Sequence, residues 1–584
     1  MFERIFRIDY RSLAAFRIGL AILLLCDLVN RSHDLMAHYT DTGVLPRDIY
    51  IQHFQPAWHW SVHLMGGNES AIHLLFGMHA LLAIALLVGI RTRIAHFLCW
   101  FLLISLHSRN PIVLQGGDVL LRVLFFWGLF LPLGARWSVD SAMAPEKPIG
   151  FTANLASMAL LLQVSMVYLF TVLLKNDPAW WEGQAVYLAL AIDQFTTPFG
   201  NWLLQQKSTL PLLTYSTILW EFIGALIVFS PWRTARLRMI AILGFGLMHL
   251  GLAICMELGL FPWISLCSWL VFVPSLCWDQ LGEWLRRGKW HKIQIFYDGE
   301  CGFCKKSVLI LVEFLGFGRH QIQAAQDDSA AFETMQFVNS WVVRDEDGSV
   351  YTEFAAGLVL SRSWWILDPL TFILRFPPIF LAGNWAYRLV ANRRMIFSGL
   401  TRGLDIKPVK LETHWFSQGV ALFFLLYVIA WNIRTLDFNY YVQYFPKHYN
   451  WIGQVVRVDQ YWNMFAPYPL RDDGWYVIDG KLINGQEFDV FNAKSEVSFD
   501  KPDLVSTTYP SQRWRKYMMN IWFKKHSKYR LYYGKYICRS FAEKYPTLPS
   551  LASFKLFFVK EYTGENYHFG PTEKVLLWDH KCFP

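Results

Sequence analysis

"KIQIFYDGECGFCKKSVLILVEFLG", residues 292–316, changes character twice within a short span. An apolar strand over 293–297 gives way to a glycine-containing turn, and an amphipathic helix begins near Cys304. Val308, Leu311, Val312 and Leu315 recur at helical spacing. Two cysteines three apart at a helix start suit dithiol exchange. The helix N-terminus stabilises a thiolate, and the first, more exposed sulfur attacks while the second resolves the mixed disulfide. By that geometry Cys301 is the nucleophile and Cys304 the resolver. Half of a zinc site is a competing reading, but no second CxxC or nearby CxxH supplies further ligands, so no metal is assigned. A merely structural pair is the other alternative.

Outside this stretch the chain is unlike a soluble protein. Of its 584 residues 54% are hydrophobic and 17% charged, against about 25% charged in ordinary soluble domains. Apolar runs account for the deficit. Eight fill the first half, near 12–30, 70–90, 94–108, 117–133, 153–174, 211–230, 237–257 and 260–278, and a ninth, "WFSQGVALFFLLYVIAWNI", covers 415–433. No cleavable signal peptide is expected, because Arg17 interrupts the first run and no small-residue cleavage site follows it. The net charge of +9 comes from basic residues in short loops, without a recognition helix, and a nucleic-acid partner is not expected. Cys26, Cys99, Cys255, Cys267 and Cys277 fall in apolar runs and read as small buried hydrophobes.

The loop charges also orient the chain. With the N-terminus inside, the inner segments hold ten basic residues: Arg4, Arg7, Arg11, Arg91, Arg93, Arg136, Lys147, Arg233, Arg236 and Arg238. The outer loops hold five: Arg31, Arg47, Arg109, Lys175 and Lys207. Eight crossings return 279–413 to the cytoplasm, and the ninth sends 435–584 out. The thiol pair is then cytoplasmic, where it rests as a dithiol and acts as a reductant.

Asp298, Cys301 and Cys304 in "YDGECGFC" resemble the signature of the DCC family of thiol-disulfide oxidoreductases. The likeness continues through "WVVRDEDGSVYTEFAAGLVL" (341–360), read as strand, turn, strand and helix. It ends with "WAYRLVANRRMIFSG" (385–399), read as a helix ending in Asn-Arg. The resemblance covers 292–402. It implies a thioredoxin-like α/β fold, a catalytic role for Asp298, Cys301 and Cys304, and a protein thiol or disulfide as substrate.

Ionisable residues beside apolar spans are costly and call for a functional hypothesis. Arg17, Asp118, Arg122, Lys175, Asp177 and Glu182 qualify; for each alone, a membrane-edge anchor or buried ion pair is the plain alternative. All but Arg17 lie in "HSRNPIVLQGGDVLLRVLFFWGLFLPLGARWSVD" (107–140) and "YLFTVLLKNDPAWWEGQAV" (168–186), which join "HYTDTGVLPRDIY" (38–50) as the segments of interest. Together these segments resemble the HTTM (horizontally transferred transmembrane) domain shared with vitamin K-dependent gamma-carboxylase, over 8–280. The closest match is "LLKNDPAWWEG", which places Lys175 on the lysine that deprotonates a hydroquinone. A desolvated membrane-edge lysine can do this. The resemblance adds Asn110, Asp118, Arg122, Trp180 and Glu182 as candidate substrate-binding residues. It implies a quinone or hydroquinone as the small-molecule partner, no cofactor otherwise being assigned. The carboxylase's Asn-Asn-His segment has only a partial counterpart in "HSRNPIVLQGGD", where His107 is merely nearby.

Past the ninth span (413–434), "VDQYWNMFAPYPLRDDGWYVIDGKLINGQEFDVF" (458–491) reads as a tryptophan-rich lead-in followed by a hairpin of strands 475–478 and 487–491. "SQRWRKYMMNIWFKK" reads as a helix whose basic face is solvated or meets anionic headgroups. Cys538 and Cys582, both outside, are candidates for a disulfide. The sequence thus predicts a polytopic α-helical membrane protein of about nine spans. It carries a thioredoxin-like α/β domain and a C-terminal α+β segment (435–584), in a bacterial-type inner membrane. The preferred function is redox chemistry at both the thiol pair and Lys175. The alternatives are a thiol oxidoreductase whose membrane half only docks a partner, and a non-enzymatic scaffold or transporter.

Overall fold

A computed structural model describes residues 1–583 apart from 287, 402, 405, 412, 413, 566 and 567. The expected domain bounds at 402 and 413 themselves lie outside the described residues. The N-terminal half is a helix bundle: α1 (Tyr10–Ser32), α2 (Glu69–Val88), α3 (Thr92–Arg109), α4 (Gly116–Gly128), α5 (Leu155–Leu174), α6 (Leu210–Ile227), α7 (Thr234–Cys255) and α8 (Phe261–Trp269). Later in the chain, Trp415–Leu436 packs back against α5. Six of these helices, α1, α2, α5, α6, α7 and Trp415–Leu436, are long and apolar enough to cross a membrane, or seven if the bent pair described next counts as one span. α4, with 13 residues, is only about 20 Å long and too short to cross alone.

The run expected over 260–278 is not one straight helix. After α8 a short 3₁₀ turn ends at Phe272, and Ser275–Leu285 leaves at 102°. Pro274 at the break lacks the N–H that would continue the ladder, and it biases Val273 toward extended backbone. Cys26, expected buried, is exposed on α1, and Cys277 is half-buried.

One end of the bundle is tied by Arg17, fully buried, which donates to the carbonyls of Leu87, Leu133, Arg136 and Trp137. An α/β domain docks at this end. Its sheet consists of β1 (Gln294–Tyr297), β2 (Ile322–Ala324), β3 (Val342–Arg344) and β4 (Val350–Thr352), in the order β2-β1-β3-β4. β1 and β2 are parallel, and β3 runs antiparallel to both β1 and β4. α9 (Gly302–Leu315) links the parallel pair, α10 (Ser329–Val338) precedes β3, and α11 (Glu353–Arg362) follows β4. The helix expected to end in Asn-Arg within 385–399 is Pro377–Asn392, here α12, with Arg393 as its C-cap and a short helix following to Leu400. Glu313 on α9, itself buried, anchors the domain to the bundle. It accepts from the Trp137 N–H at 2.8 Å and the Ser141 hydroxyl at 3.0 Å, and pairs with Lys147 at 3.1 Å.

The C-terminal domain sits at the opposite end. Beyond the ninth-run helix, now α13 (Trp415–Leu436), β5 (Asp472–Leu482), β6 (Glu487–Asp489), β7 (Leu551–Tyr562) and β8 (Glu573–Lys581) form an antiparallel sheet ordered β8-β7-β5-β6. The expected hairpin is present but short. The long partner of β5 is β7, because 475–478 extends to Leu482 and its inward residues Tyr476 and Ile478 need a second full-length strand to cover them. α14 (Gln512–Trp522) and α15 (Tyr529–Lys544) cover the sheet, and Val44, Leu45, Tyr50 and Ile112 from the bundle's loops share the same core. Cys538 and Cys582 are disulfide-bonded, with Cα atoms 5.5 Å apart.

Candidate functional site

Cys301 sits at the N-cap of α9. Its sulfur accepts the Cys304 N–H at 3.3 Å, and the two sulfurs are 2.6 Å apart. Both cysteines are half-buried. Burial, and then Cys301 next door, push the Cys304 thiol up to about 12, partly offset by the Arg394 guanidinium. Cys304 is therefore held as the proton-bearing partner, with its S–H directed at Cys301. Asp298 faces this pair from the β1–α9 turn. One oxygen accepts from the Glu300 N–H and the Gln326 amide, both at 3.1 Å, and the other pairs with Arg394 at 3.1 Å. Asp298, Cys301 and Cys304 bring three ligand-type atoms within 4.8 Å, yet Arg394 already neutralises the carboxylate. That arrangement fits a charge relay around two thiols better than a cation site.

Beside Cys304 opens a cavity of about 350 Å³ walled by Phe303, Leu311, Met335, Trp341, Tyr387 and Val390, with Asp298 and Arg394 at its rim. Cys304 lines it. The Tyr387 hydroxyl accepts the Trp341 N–H at 3.1 Å, fixing the strand end that faces the cysteines. Sequence reasoning missed both Tyr387 and Arg394. A signal existed in "NRR" (392–394), but nothing local says that the second arginine turns back to Asp298, 96 residues away.

The second candidate site lies at the far end of the bundle. Lys175 caps α5 and is 2% exposed. Its ammonium donates to the carboxylate of Glu221 on α6, and the Trp180 ring lies 4.0 Å from Nζ. The Trp180 indole N–H donates to the Phe465 carbonyl at 3.0 Å, so the tail "YWNMFAP" closes over this corner. Glu221 was not anticipated, although a glutamate within the run 211–230 is itself an intramembrane charge and so a signal. Asp177 caps a short helix by accepting from Ala179 N–H, and Glu182 is exposed rather than gathered around Lys175.

Asn110, Asp118 and Arg122 belong to a different assembly. Asp118 receives Arg31 at 2.5 Å and Arg513 at 2.6 and 2.8 Å, while Asp27 receives Arg31 at 2.7 Å and Arg513 at 2.6 Å. All four are buried. His107 lies 3.3 Å from Arg31 and 3.7 Å from Asp118, the Asn110 amide donates to the His38 carbonyl, and Arg122 binds Asp459 and the Arg457 carbonyl. Arg513 comes from α14, so the basic face expected in solvent is turned inward and locks the C-terminal domain to the bundle. The reason is local charge. Two carboxylates with one arginine between them would be a net negative buried group, which a second arginine cancels.

Comparison with known families matches these two halves separately. The HTTM domain matches residues 6–277, and the DCC1-like thiol-disulfide oxidoreductase matches residues 295–400. The chain therefore joins an HTTM membrane domain to a DCC1-like thiol-disulfide oxidoreductase domain, as a membrane redox protein with soluble domains. No curated protein and no solved structure matches it.

Proposed function

We propose that this protein is a membrane-held thiol-disulfide oxidoreductase acting on protein disulfides through Cys301 and Cys304. The carrying observation is the sulfur pair itself: Cys301 at a helix N-terminus, accepting from Cys304, beside an apolar cavity. The Cys301 thiolate attacks one substrate sulfur, the substrate S–S bond breaks, and a mixed disulfide forms as the other substrate sulfur leaves as thiolate. Cys304 then gives up its proton and attacks Cys301. Substrate departs as a dithiol carrying two electrons, and the domain is left as a disulfide for a dithiol protein of the cytoplasm to reduce. Asp298 holds Arg394 against the pair, and Arg394 supports the developing thiolate. Reduction of a peptide disulfide by the purified chain tests this; activity surviving Cys301→Ser overturns it.

The working units are 8–280, 292–402, 413–434 and 435–584. In this reading α3, α4 carried on through the turn that follows it to residue 133, and the bent pair also count as crossings, giving about nine spans in a bacterial-type inner membrane. The ten-to-five bias in basic residues supports placing the thiol domain in the cytoplasm. The Cys538–Cys582 disulfide supports an oxidising compartment for the C-terminal domain.

At the other end, Lys175 and Glu221 form a buried pair able to hold one proton between them, with Trp180 as the wall against which a flat ring would lie. A quinol is the substrate class in this reading: neutral Lys175 Nζ takes the hydroxyl proton. The two sites face opposite ends of the bundle, so a quinone diffusing through the bilayer is the link between them: dioxygen takes the two electrons of the deprotonated quinol at Lys175, and the Cys301–Cys304 dithiol returns two electrons and two protons to the quinone, becoming a disulfide. Quinol oxidation in proteoliposomes by Lys175→Ala and Cys301→Ser tests the coupling, and unchanged turnover in both overturns it. One observation favours a second reading, in which the membrane half only docks a partner. Lys175 is already neutralised by Glu221 and closed over by Trp180, as a structural ion pair would be.

A further inference from the structure

The thiol domain carries an apolar face that its own core does not use. Between 366 and 396 the side chains of Leu370, Phe372, Ile373, Phe376, Leu381 and Trp385 are exposed, Phe372 at 85% and Trp385 at 68%. Scattered apolar residues on a surface are ordinary, but a contiguous patch of this kind marks an interaction site. α12 has no fully buried residue, and its two sides differ. Leu381 and Trp385, one turn apart, face outward. Tyr387, Val390 and Ala391 face the cavity beside Cys304.

Three features say what covers the outward side. The first is continuity with the bundle. Ser275–Leu285 leaves α8 at 102°, so it runs roughly perpendicular to a spanning helix, along the plane in which the bundle ends. It exposes Leu276, Leu281 and Trp284. Trp284 meets Trp365 with ring centroids 4.6 Å apart, and the Trp365 backbone N–H donates to the Leu285 carbonyl at 3.1 Å. The exposed face from 366 onward therefore begins where this in-plane helix ends. The second feature is charge: residues 366–396 hold one acidic residue, Asp368, against Arg375, Arg388, Arg393 and Arg394; Arg388 pairs with Glu353 and Arg394 with Asp298, and Arg375 and Arg393 are exposed. Aromatic and aliphatic side chains on one face with arginines alongside are the composition of helices that lie in a lipid headgroup layer. The third is the return of the chain into the bundle at Trp415 and Phe416, both exposed, where an interfacial aromatic belt belongs.

We propose that residues 366–396 dock the thiol domain onto the surface of the bilayer that holds the bundle, with anionic headgroups around Arg375 and Arg393. A single helix, α12, then separates lipid from the cavity beside Cys304, and the dithiol takes its substrates at the membrane surface rather than from bulk solvent. The docking concerns where the site sits and stands even if the exchange reaction proposed above fails.

The test uses the full chain in nanodiscs of phosphatidylethanolamine and phosphatidylglycerol. Nitroxide is placed at Leu381→Cys or Trp385→Cys, with Cys26, Cys277, Cys301 and Cys304 changed to serine, and at Asp347→Cys on the β3–β4 turn as the solvent reference. Docking predicts labels at 381 and 385 that collide more with oxygen than with a water-soluble nickel chelate, at a depth of about 5–10 Å. Labels as open to nickel as the one at 347 overturn the proposal. Dipolar broadening between labels on two copies also overturns it, in favour of a contact between copies. The wild-type chain gives a readout free of substitution: diazirine lipids should crosslink to peptides spanning 370–385, and crosslinks confined to the spanning helices contradict docking.

Discussion

Arg513→Met should release the C-terminal domain from the membrane bundle. In the intact network the Arg513 guanidinium makes two contacts to Asp118, at 2.6 and 2.8 Å, and one to Asp27 at 2.6 Å. All three residues are buried. Methionine keeps the apolar stem but leaves two carboxylates with Arg31 alone, a net negative charge out of water. Breaking one member of such a buried group costs about 3–5 kcal/mol. At about 1.4 kcal/mol per tenfold, the undocked population rises by roughly two to three and a half orders of magnitude. Limited proteolysis of the nanodisc-held chain reads this as faster cleavage between α13 and β5. Arg513→Met/Asp118→Asn removes the excess charge and should recover a large part of the loss, a non-additivity of the kind contacting residues show. A single variant as resistant as wild type, or a double variant that is simply additive, would refute the charge-lock reasoning.

Asp473 gives a pH dependence of opposite sense to an ordinary carboxylate. Burial, then Asp193, raises it to about 7, where it accepts from the Gln194 amide at 2.9 Å. The folded state therefore holds its proton over a range where the unfolded chain has lost it. The stability it contributes is full below about pH 4 and is lost as pH rises through 7. Denaturation at pH 5 and 8 should show that loss in wild type and a flatter profile in Asp473→Asn. Arg394→Met removes the cation beside both sulfurs, so alkylation of the pair at neutral pH should slow several-fold while the fold, read by circular dichroism, is kept. Cys538→Ser/Cys582→Ser opens a loop of 44 residues, which should cost about 2–4 kcal/mol in the C-terminal domain and show as a lowered Tm that reductant no longer changes.

What the sequence disclosed follows how local each feature is. The strand, turn and helix around Cys301 and Cys304 depend on neighbours within a few residues, and periodicity with a glycine turn is enough to read them. Lys175 was legible because the motif around it is contiguous. Its partner Glu221 is 46 positions away on another helix, and Arg513 reaches Asp118 across 395, so no window of sequence joins either pair. The inward turn of α14 shows the same limit. A basic helix face looks solvent-bound until the buried carboxylates that oppose it are known. The bend after Phe272 was more accessible, since Pro274 stands in the run, but hydropathy averages across a proline that backbone geometry cannot ignore.

Which sulfur attacks can be read directly in native membranes. Cys304→Ser and Cys301→Ser chains are acid-quenched, alkylated and compared on non-reducing gels. With Cys301 as the nucleophile, covalent adducts with protein partners form in Cys304→Ser, are dissolved by reductant, and do not form in Cys301→Ser. Equal adducts in both, or adducts through Cys304 alone, would contradict attack by Cys301.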